Sequence, residues 1–481
     1  MEKLMSFSGL GDAVGARMFT WEGKQLPVLQ SADPQSAVLQ SAGFSSVSID
    51  SRDVLPGALF VALRGSTLDG HRFVEAAFKA GASGALVALS ALDDESLDLS
   101  GLCRKWNRVL VGVDDTLKAL QKAAAVYLKQ FSGLTRVGIT GSAGKTSTKE
   151  IAAAIIGQEK SVVMNKGNYN SETGLPLSVF NVRSHHEVGI FEAGMNNPGE
   201  IADLAKILDP HIALITNIGT AHVGNMGSRD AIAREKKQIF SCFSGNNTAM
   251  IPMEDDYKHF LGSDVHGRVV YYGASSLSAL GDVKDLGLTG TEMIWDGKAV
   301  KFKLPGKFNY ANAIAASALA VELSIGADSV QKGIESVKPL FGRGEIFKGR
   351  VTLIRDCYNS NPESAEQALD FCDNLEWPGR RIYVIGSMLE LGALSEKAHA
   401  DLGSRLASSC AEMVFLYGEE MKAALSGIGE TTTHFFTQDK DELSHEIDKY
   451  VKKGDLVLLK GSRGCALESL TEMLLGDADV L

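Results

Sequence analysis

Short apolar runs recur along this 481-residue chain, and most are followed by a stretch long enough for a helix. Val137–Thr140, Val188–Phe191 and Ile212–Thr216 form one such series. Val351–Ile354, Ile382–Ile385, Met413–Leu416, His434–Phe436 and Leu456–Leu459 form another, in which each but the short fourth precedes a helix-compatible segment. Alternation of this kind admits few folds. Parallel strands need long crossovers, and a helix is the usual crossover, so the pattern predicts α/β layers around mostly parallel sheets.

The N-terminal stretch reads the same way. Val47–Ile49, Leu59–Leu63 and Ala85–Ala88 are strand candidates, Phe73–Lys79 a helix and Asp69-Gly70 a turn. Asn197-Pro198-Gly199-Glu200 predicts a helix start with Asn197 as cap. Ile201, Leu204, Ala205 and Leu208 then keep helical spacing on one buried face. Glu292–Trp295 and Val300–Leu304 flank Asp296-Gly297, a hairpin signal and an antiparallel excursion. At roughly 150 residues per domain the length suits about three domains. The grouping of these strand and helix candidates places them at 1–131, 132–338 and 339–481.

Composition excludes several classes of function. The 48 Lys and Arg against 59 Asp and Glu leave a net charge of −11, which argues against nucleic acid and against anionic membranes. The six cysteines form no C-x-x-C pair, so neither a zinc site nor a dense disulfide framework is expected, and reduced thiols in a cytoplasmic protein are. Met1–Trp21 carries no signal-peptide pattern, and runs such as Ile151–Gly157 are too short to span a bilayer. Glycine is abundant, 50 residues against 11 prolines, which points to tight turns and close backbone–ligand approach.

The sharpest local signal is Gly138-Ile139-Thr140-Gly141-Ser142-Ala143-Gly144-Lys145-Thr146-Ser147. An apolar strand enters it and a helix, Lys145 to about Gln158, leaves it. Glycines bring backbone N–H groups close to phosphate oxygens, and the helix N-terminus adds favourable partial charge. Lys145 can reach β- and γ-phosphates, and the Thr146 hydroxyl can ligate Mg²⁺. The strict G-x-x-x-x-G-K-[ST] pattern fails at Ile139, so the loop is a T-G-x-x-G-K-T variant. An ordinary glycine-rich strand–helix turn is the alternative. The expected fold is therefore α/β with three domains: a central P-loop ATPase-like, mostly parallel sheet and a C-terminal Rossmann-like doubly wound domain.

The variant loop resembles the ATP-binding loop of the Mur ligases, the amide-forming enzymes of peptidoglycan precursor synthesis. Asp50-Ser51-Arg52, Pro56–Ala62 and Asp69-Gly70-His71 resemble that family's uridine-nucleotide domain. Gly167-Asn168-Tyr169-Asn170, Gly174-Leu175-Pro176, Glu192–Asn196, Gly199–Ile201 and Asn217–His222 resemble central-domain segments. Asp356-Cys357-Tyr358-Asn359-Ser360-Asn361-Pro362 is similar to the D-x-Y-N-A-N-P stretch of the member that adds D-alanyl-D-alanine. Met388-Leu389-Glu390-Leu391-Gly392 with His399, and Lys460–Gly464, resemble the same member. Ser387 stands where that member usually has Asp, and Cys357 and Ser360 replace commoner residues.

The resemblance implies an ADP-forming ligase joining D-Ala-D-Ala to UDP-MurNAc-tripeptide through an acyl phosphate. ATP and Mg²⁺ are the implied cofactors, and a cytoplasmic monomer the implied state. Lys145, Glu192, His222, Lys236 and Arg343 are the implied catalytic residues. Thr140, Gly141, Ser142, Ala143, Gly144, Lys145, Thr146, Ser147, Asn309, Asn312, Arg343 and Asp356 are implied to bind ATP. Thr146, Glu192, His222 and Lys236 are implied at the metal, with Lys236 as a carbamate. That modification needs a neutral amine, hence a lysine pKa lowered by burial or nearby cations. Ser51, Arg52, His71, Asn168, Asn170, Asn359, Asn361, Lys460 and Arg463 are implied to contact the nucleotide-peptide or the dipeptide.

Taken one by one, these residues have plainer readings. Glu192 is a surface carboxylate, His222 a loop histidine, Lys236 part of a charged helix face, Asn309 a helix cap. Lys460–Arg463 is a turn with solvated cations. The alternative functions are a diamino-acid-adding ligase, a folylpolyglutamate synthase, or a nucleotide-binding paralogue without activity. The absence of a D-N-P-R stretch argues against the first of these.

Overall fold

The computed structural model describes residues 2–19, 25–26, 39–65 and 67–476. Met1, Thr20 and Trp21, part of the N-terminal stretch discussed above, lie outside the described residues. The chain divides into two compact units: Met1–Val137, Val163–Ala193 and Ala202–Pro210 form the first, and Gly138–Val162, Gly194–Ile201 and His211–Leu481 the second.

The first unit contains a six-stranded sheet ordered Gln25–Leu26, Arg17–Phe19, Val109–Val113, Gly84–Ala88, Ala58–Val61, Ser46–Ser48. The last four strands are parallel, and the two at the other edge antiparallel. The three strands from Val109 to Ala58 in that order are buried along their whole length, which is why they read as unbroken apolar runs rather than alternating ones. The expected strand over Leu59–Leu63 stops at Val61. The expected helix Phe73–Lys79 is a 3₁₀ turn, Gly70–Phe73, followed by an α-helix, Val74–Lys79. Asp69 makes that turn by accepting from the His71 N–H. Helix Thr116–Lys129 starts at Asp115, whose carboxylate accepts from the Leu117 and Lys118 N–H groups.

A second six-stranded sheet is ordered Val162–Met164, Val188–Glu192, Thr135–Thr140, Ile212–Ile215, Thr248–Pro252, Arg268–Tyr272. The helix expected to start at Asn197 starts at Glu200. The reason is tertiary. The Glu235 carboxylate accepts from the Gly199 and Ile201 N–H groups at 2.9 Å each, while the Asn197 side-chain amide donates to Glu200. Ile201, Leu204, Ala205 and Leu208 are all buried, as their spacing requires.

Leu280–Asp285, Thr291–Trp295 and Lys298–Phe302 make a small antiparallel sheet. Trp295 pairs with Lys298, so the turn is Asp296-Gly297 alone, and both residues have positive φ, 48° and 75°. A type I′ turn needs that combination. It is tighter than the sequence spacing suggested, and the second strand begins at Lys298 rather than Val300.

The C-terminal sheet is ordered Glu345–Lys348, Thr352–Asp356, Leu456–Lys460, Arg381–Gly386, Met413–Tyr417, His434–Thr437. Only the first pairing is antiparallel. The last strand in sequence lies between the second and third of this series, so the strand order reverses there. The carboxyl ends of Thr352–Asp356, Leu456–Lys460 and Arg381–Gly386 meet at that reversal, where open α/β sheets bind ligands. The strand His434–Thr437 was expected to lack a helix. It precedes helix Lys440–Tyr450, capped by Asp439 accepting from the Asp441 and Glu442 N–H groups.

Candidate active site

Strand Thr135–Thr140 delivers the chain into the glycine-rich turn, and helix Lys145–Ile156 carries it away. Gly141 and Gly144 have φ of 151° and 79°. A Cβ at Gly141 would collide with Thr216 Oγ1, and one at Gly144 with Asn312 Oδ1. These two positions therefore need glycine twice over, for conformation and for space. The turn is held from outside by the segment after strand Ile212–Ile215. Ser142 N–H donates to the Asn217 carbonyl and Ala143 N–H to Asn217 Oδ1, both at 3.0 Å. Thr216 Oγ1 donates to the Ala143 carbonyl at 2.6 Å, and Gly219 N–H to Ser142 Oγ at 2.8 Å. Lys145 folds back over its own loop, donating to the Gly141 carbonyl at 2.8 Å. Thr140, Thr146 and Ser147 are buried at the strand end and in the first helical turn.

Two distant residues close on this turn. The Arg343 guanidinium donates to Thr146 Oγ1 at 3.0 Å and stacks over the Tyr358 ring at 4.2 Å. Asn312, on helix Lys307–Glu322, accepts from Thr148 Oγ1 at 3.3 Å. Asn309 is buried on the same helix and donates to the Pro305 carbonyl at 2.8 Å. It is not the cap, because Gly306 occupies that position.

His222 sits at φ 64°, and its Nδ1 lies 2.7 Å from the Glu390 carboxylate. The imidazole contact holds the Glu390 carboxyl below its usual range. Lys236 lies on helix Arg229–Lys237 and is 1% exposed. Burial, and then the Lys145 cation, push its amine well below the ordinary lysine value, against a smaller opposing effect of Glu235. Glu235 is already occupied by the backbone amides of Gly199 and Ile201. A solvated lysine on a charged helix face would be neither buried nor shifted.

In the first unit, Glu192 is 1% exposed at the end of strand Val188–Glu192, so it is no surface carboxylate. Asn170 Nδ2 donates to its Oε1 at 2.5 Å. Asn165, which the sequence did not single out, pairs both amide atoms with the Glu192 backbone at 2.9 and 3.0 Å. Asn168 is exposed in the same turn. His71 is buried with both ring nitrogens engaged: Nδ1 lies 2.5 Å from Asp69, and Nε2 accepts from the Ala88 N–H at 2.8 Å. The accepting Nε2 puts the proton on Nδ1, so this histidine holds the turn to the sheet. Arg52 is exposed and pairs with Asp50, and Ser51 lies beside it.

At the C-terminal reversal, Lys460 is buried, 3.2 Å from Asp356 and donating to the Asn359 carbonyl at 2.7 Å. It is not the solvated turn cation of the plainer sequence reading. Asn361 caps helix Pro362–Asn374, accepting from the Ser364 N–H, while Ser364 Oγ accepts from the Asn361 N–H. Asn359 is exposed, and its side chain accepts from the Ser360 N–H. Arg463 pairs with Glu468 at 2.6 Å and lies over the Phe341 ring. His399 repeats the arrangement of His71, with Nε2 accepting from the Met388 N–H. Ser387 and Ser360, two of the departures noted in the sequence, are buried, and neither hydroxyl has a hydrogen-bond partner among the described residues.

Three family descriptions match along the chain: "Mur ligase family, catalytic domain" over residues 44–128, "Mur ligase middle domain" over 139–320, and "Mur ligase, glutamate ligase domain" over 342–463. A UDP-N-acetylmuramoyl-tripeptide–D-alanyl-D-alanine ligase of Treponema pallidum is 42% identical over 439 residues, which is 90% of this chain and 94% of that protein. The chain belongs to the Mur ligase family. Among solved Mur ligases, MurF from Acinetobacter baumannii matches with a TM-score of 0.84 at 27% identity, covering 99% of both chains. MurF from Thermotoga maritima, solved in complex with ADP, matches at 0.75 with 28% identity, over 89% of this chain and 96% of that one. The α/β expectation and the three-domain Mur ligase fold hold. No helix among the described residues is long and apolar enough to cross a membrane.

The sequence reading of this Mur ligase missed Asn165, Thr216, Asn217 and Glu363. Asn217 opened a segment that resembled the family, and its partners could not be read from spacing. Asn165 lies two residues before Gly167, where the recognised segment starts.

Proposed function

We propose that this Mur ligase joins D-alanyl-D-alanine to UDP-N-acetylmuramoyl-tripeptide in the cytoplasm, with ATP converted to ADP. The chain-long identity to a ligase of that name carries the proposal. ADP in a solved relative supports nucleotide binding. Residues 1–131 would take the nucleotide-peptide, 132–338 the ATP and 339–481 the dipeptide.

The γ-phosphoryl would pass to the peptide carboxylate, giving an acyl phosphate. The dipeptide amine would then attack, and phosphate would leave from a tetrahedral intermediate. Such chemistry needs positioning and charge neutralisation more than a protein nucleophile. Lys145 would release the Gly141 carbonyl to meet the phosphates. Arg343, already at the first turn of the loop helix, would neutralise charge as it develops. Asn309 and Asn312 would offer amides to the adenine edge. The ribose would lie by Asp356. Asn359, Asn361, Lys460 and Arg463 would frame the dipeptide, with Lys460 acting through Asp356 and the Asn359 carbonyl. Ser51, Arg52, Asn168 and Asn170 would face the nucleotide-peptide, with His71 holding the Asp69 turn beside them.

Mg²⁺ would neutralise phosphate charge when bound. Among the described residues no three His, Cys, Asp or Glu side chains form a cage for a metal. Mg²⁺ keeps waters and phosphate oxygens and needs only one or two protein carboxylates. The Thr146 hydroxyl and Glu192 carboxylate are suitable hard donors. Lys236 becomes one only as a carbamate, and its buried, neutral-favouring site suits that modification. His222 would join after leaving Glu390.

Phosphate release with ATP, Mg²⁺ and UDP-MurNAc-tripeptide, with and without D-Ala-D-Ala, tests the proposal. Release should depend on the dipeptide and should yield one coupled product. Release that ignores the dipeptide would refute the assignment.

A further inference from the structure

Glu363 is the second residue of helix Pro362–Asn374, directly after the Asp356–Pro362 stretch. One of its carboxylate oxygens accepts from the Thr220 N–H at 2.8 Å and the other from Thr220 Oγ1 at 2.9 Å. The preceding residue, Gly219, donates its N–H to Ser142 Oγ of the phosphate loop at 2.8 Å. A Cβ on Gly219 would stand 3.1 Å from Glu363 Oε1 and 3.3 Å from Ser142 Cβ, so the glycine sits packed between the two. A few residues on, Gly224 packs against Gly392 so closely that a Cβ would meet its backbone.

An acid in the first turn of a helix is ordinary, because it faces the helix's positive end. That role needs no partner. Here both oxygens are committed to one residue 143 positions away, which is itself one residue from a phosphate-loop contact.

We propose that Glu363 is a positioning residue that couples the dipeptide side of the molecule to the alignment of the phosphate loop. The proposal rests on the ligase activity given above. A dipeptide settling against Asn359–Asn361 sets the start of helix Pro362–Asn374. Glu363 then passes that position through Thr220 and Gly219 to Ser142. Nucleotide binding by itself does not need this link, because Asn217 independently holds the Ser142 and Ala143 amides.

The test uses the full chain, with kcat, the KM for D-Ala-D-Ala and the affinity for a fluorescent ADP measured separately. Glu363→Ala removes both acceptors. It should lower kcat about tenfold or more, consistent with losing hydrogen bonds to a charged group, and raise the dipeptide KM. ADP affinity should stay within about threefold. Glu363→Gln should remain near wild type, because its amide oxygen can accept from the Thr220 N–H while its NH₂ donates to Thr220 Oγ1. Thr220→Val should fall between, and the Thr220→Val, Glu363→Ala double variant should be no slower than Glu363→Ala. Equal losses in ADP affinity and kcat, or a Gln variant as slow as Ala, would overturn the coupling. Should Glu363→Ala fail to fold, Thr220→Val decides, and an unchanged kcat and dipeptide KM refute the link. A wild-type enzyme without dipeptide-dependent release removes the activity and the coupling together. An active wild type with unmoved variants removes the coupling alone.

Discussion

Lys236 shows how a single residue can be read wrongly from its neighbours in sequence. Arg234, Glu235, Lys236 and Lys237 look like a charged, solvated run. In the fold, Glu235 turns to two backbone amides, Lys237 reaches the Phe260 carbonyl and Ser263, and Lys236 is buried. An ammonium there lacks water and faces the Lys145 cation, so the neutral amine is favoured. A neutral amine can take up CO₂. With ¹³C-bicarbonate, the active enzyme should show a carbamate carbon signal that disappears in Lys236→Ala, along with about a hundredfold or more of kcat. Active enzyme without that signal ends the carbamate assignment.

At the scale of elements, several helix starts rest on a local cap that the sequence reading does not single out. Asp115, Asn361 and Asp439 each cap a helix through amides two or three residues on. Asn197 failed as a cap because a carboxylate from a different helix reaches those amides. The hairpin at Asp296-Gly297 is where a local signal read from the sequence meets the fold. Gly297 has φ 75°, and a Cβ added there would meet no other atom of the described residues, so backbone strain is what opposes a side chain. Gly297→Ala should cost on the order of 1 kcal/mol of stability, read from urea unfolding, with kcat unchanged. A loss of activity at constant stability would place that turn in the site.

For the molecule as a whole, nucleotide binding and stability are linked. A ligand that binds only the folded chain, present at a hundred times its Kd, adds about 2.7 kcal/mol. ADP should therefore raise the thermal midpoint of the wild type. Lys145→Ala should remove most of that rise, because the ammonium that would meet the phosphates is lost. An undiminished ADP shift in Lys145→Ala would refute the assignment of this loop.

The sequence by itself determined the layers. Apolar runs of strand length, glycines at forced turns and short-range caps depend on neighbours a few residues away, and those neighbours are fixed in order. It also carried the geometry of the glycine-rich turn, since the demands on Gly141 and Gly144 arise within a few residues of the strand end. The tertiary structure alone decided partners. Asn165 on Glu192, Asn217 on the phosphate loop, Glu390 at His222 and Glu363 on Thr220 join residues 27 to 168 positions apart. The same holds for burial, which encloses Lys236, Lys460 and His71. Hydrogen bonds and desolvation act through space, and spacing along a chain encodes them only where the backbone turns within a few residues.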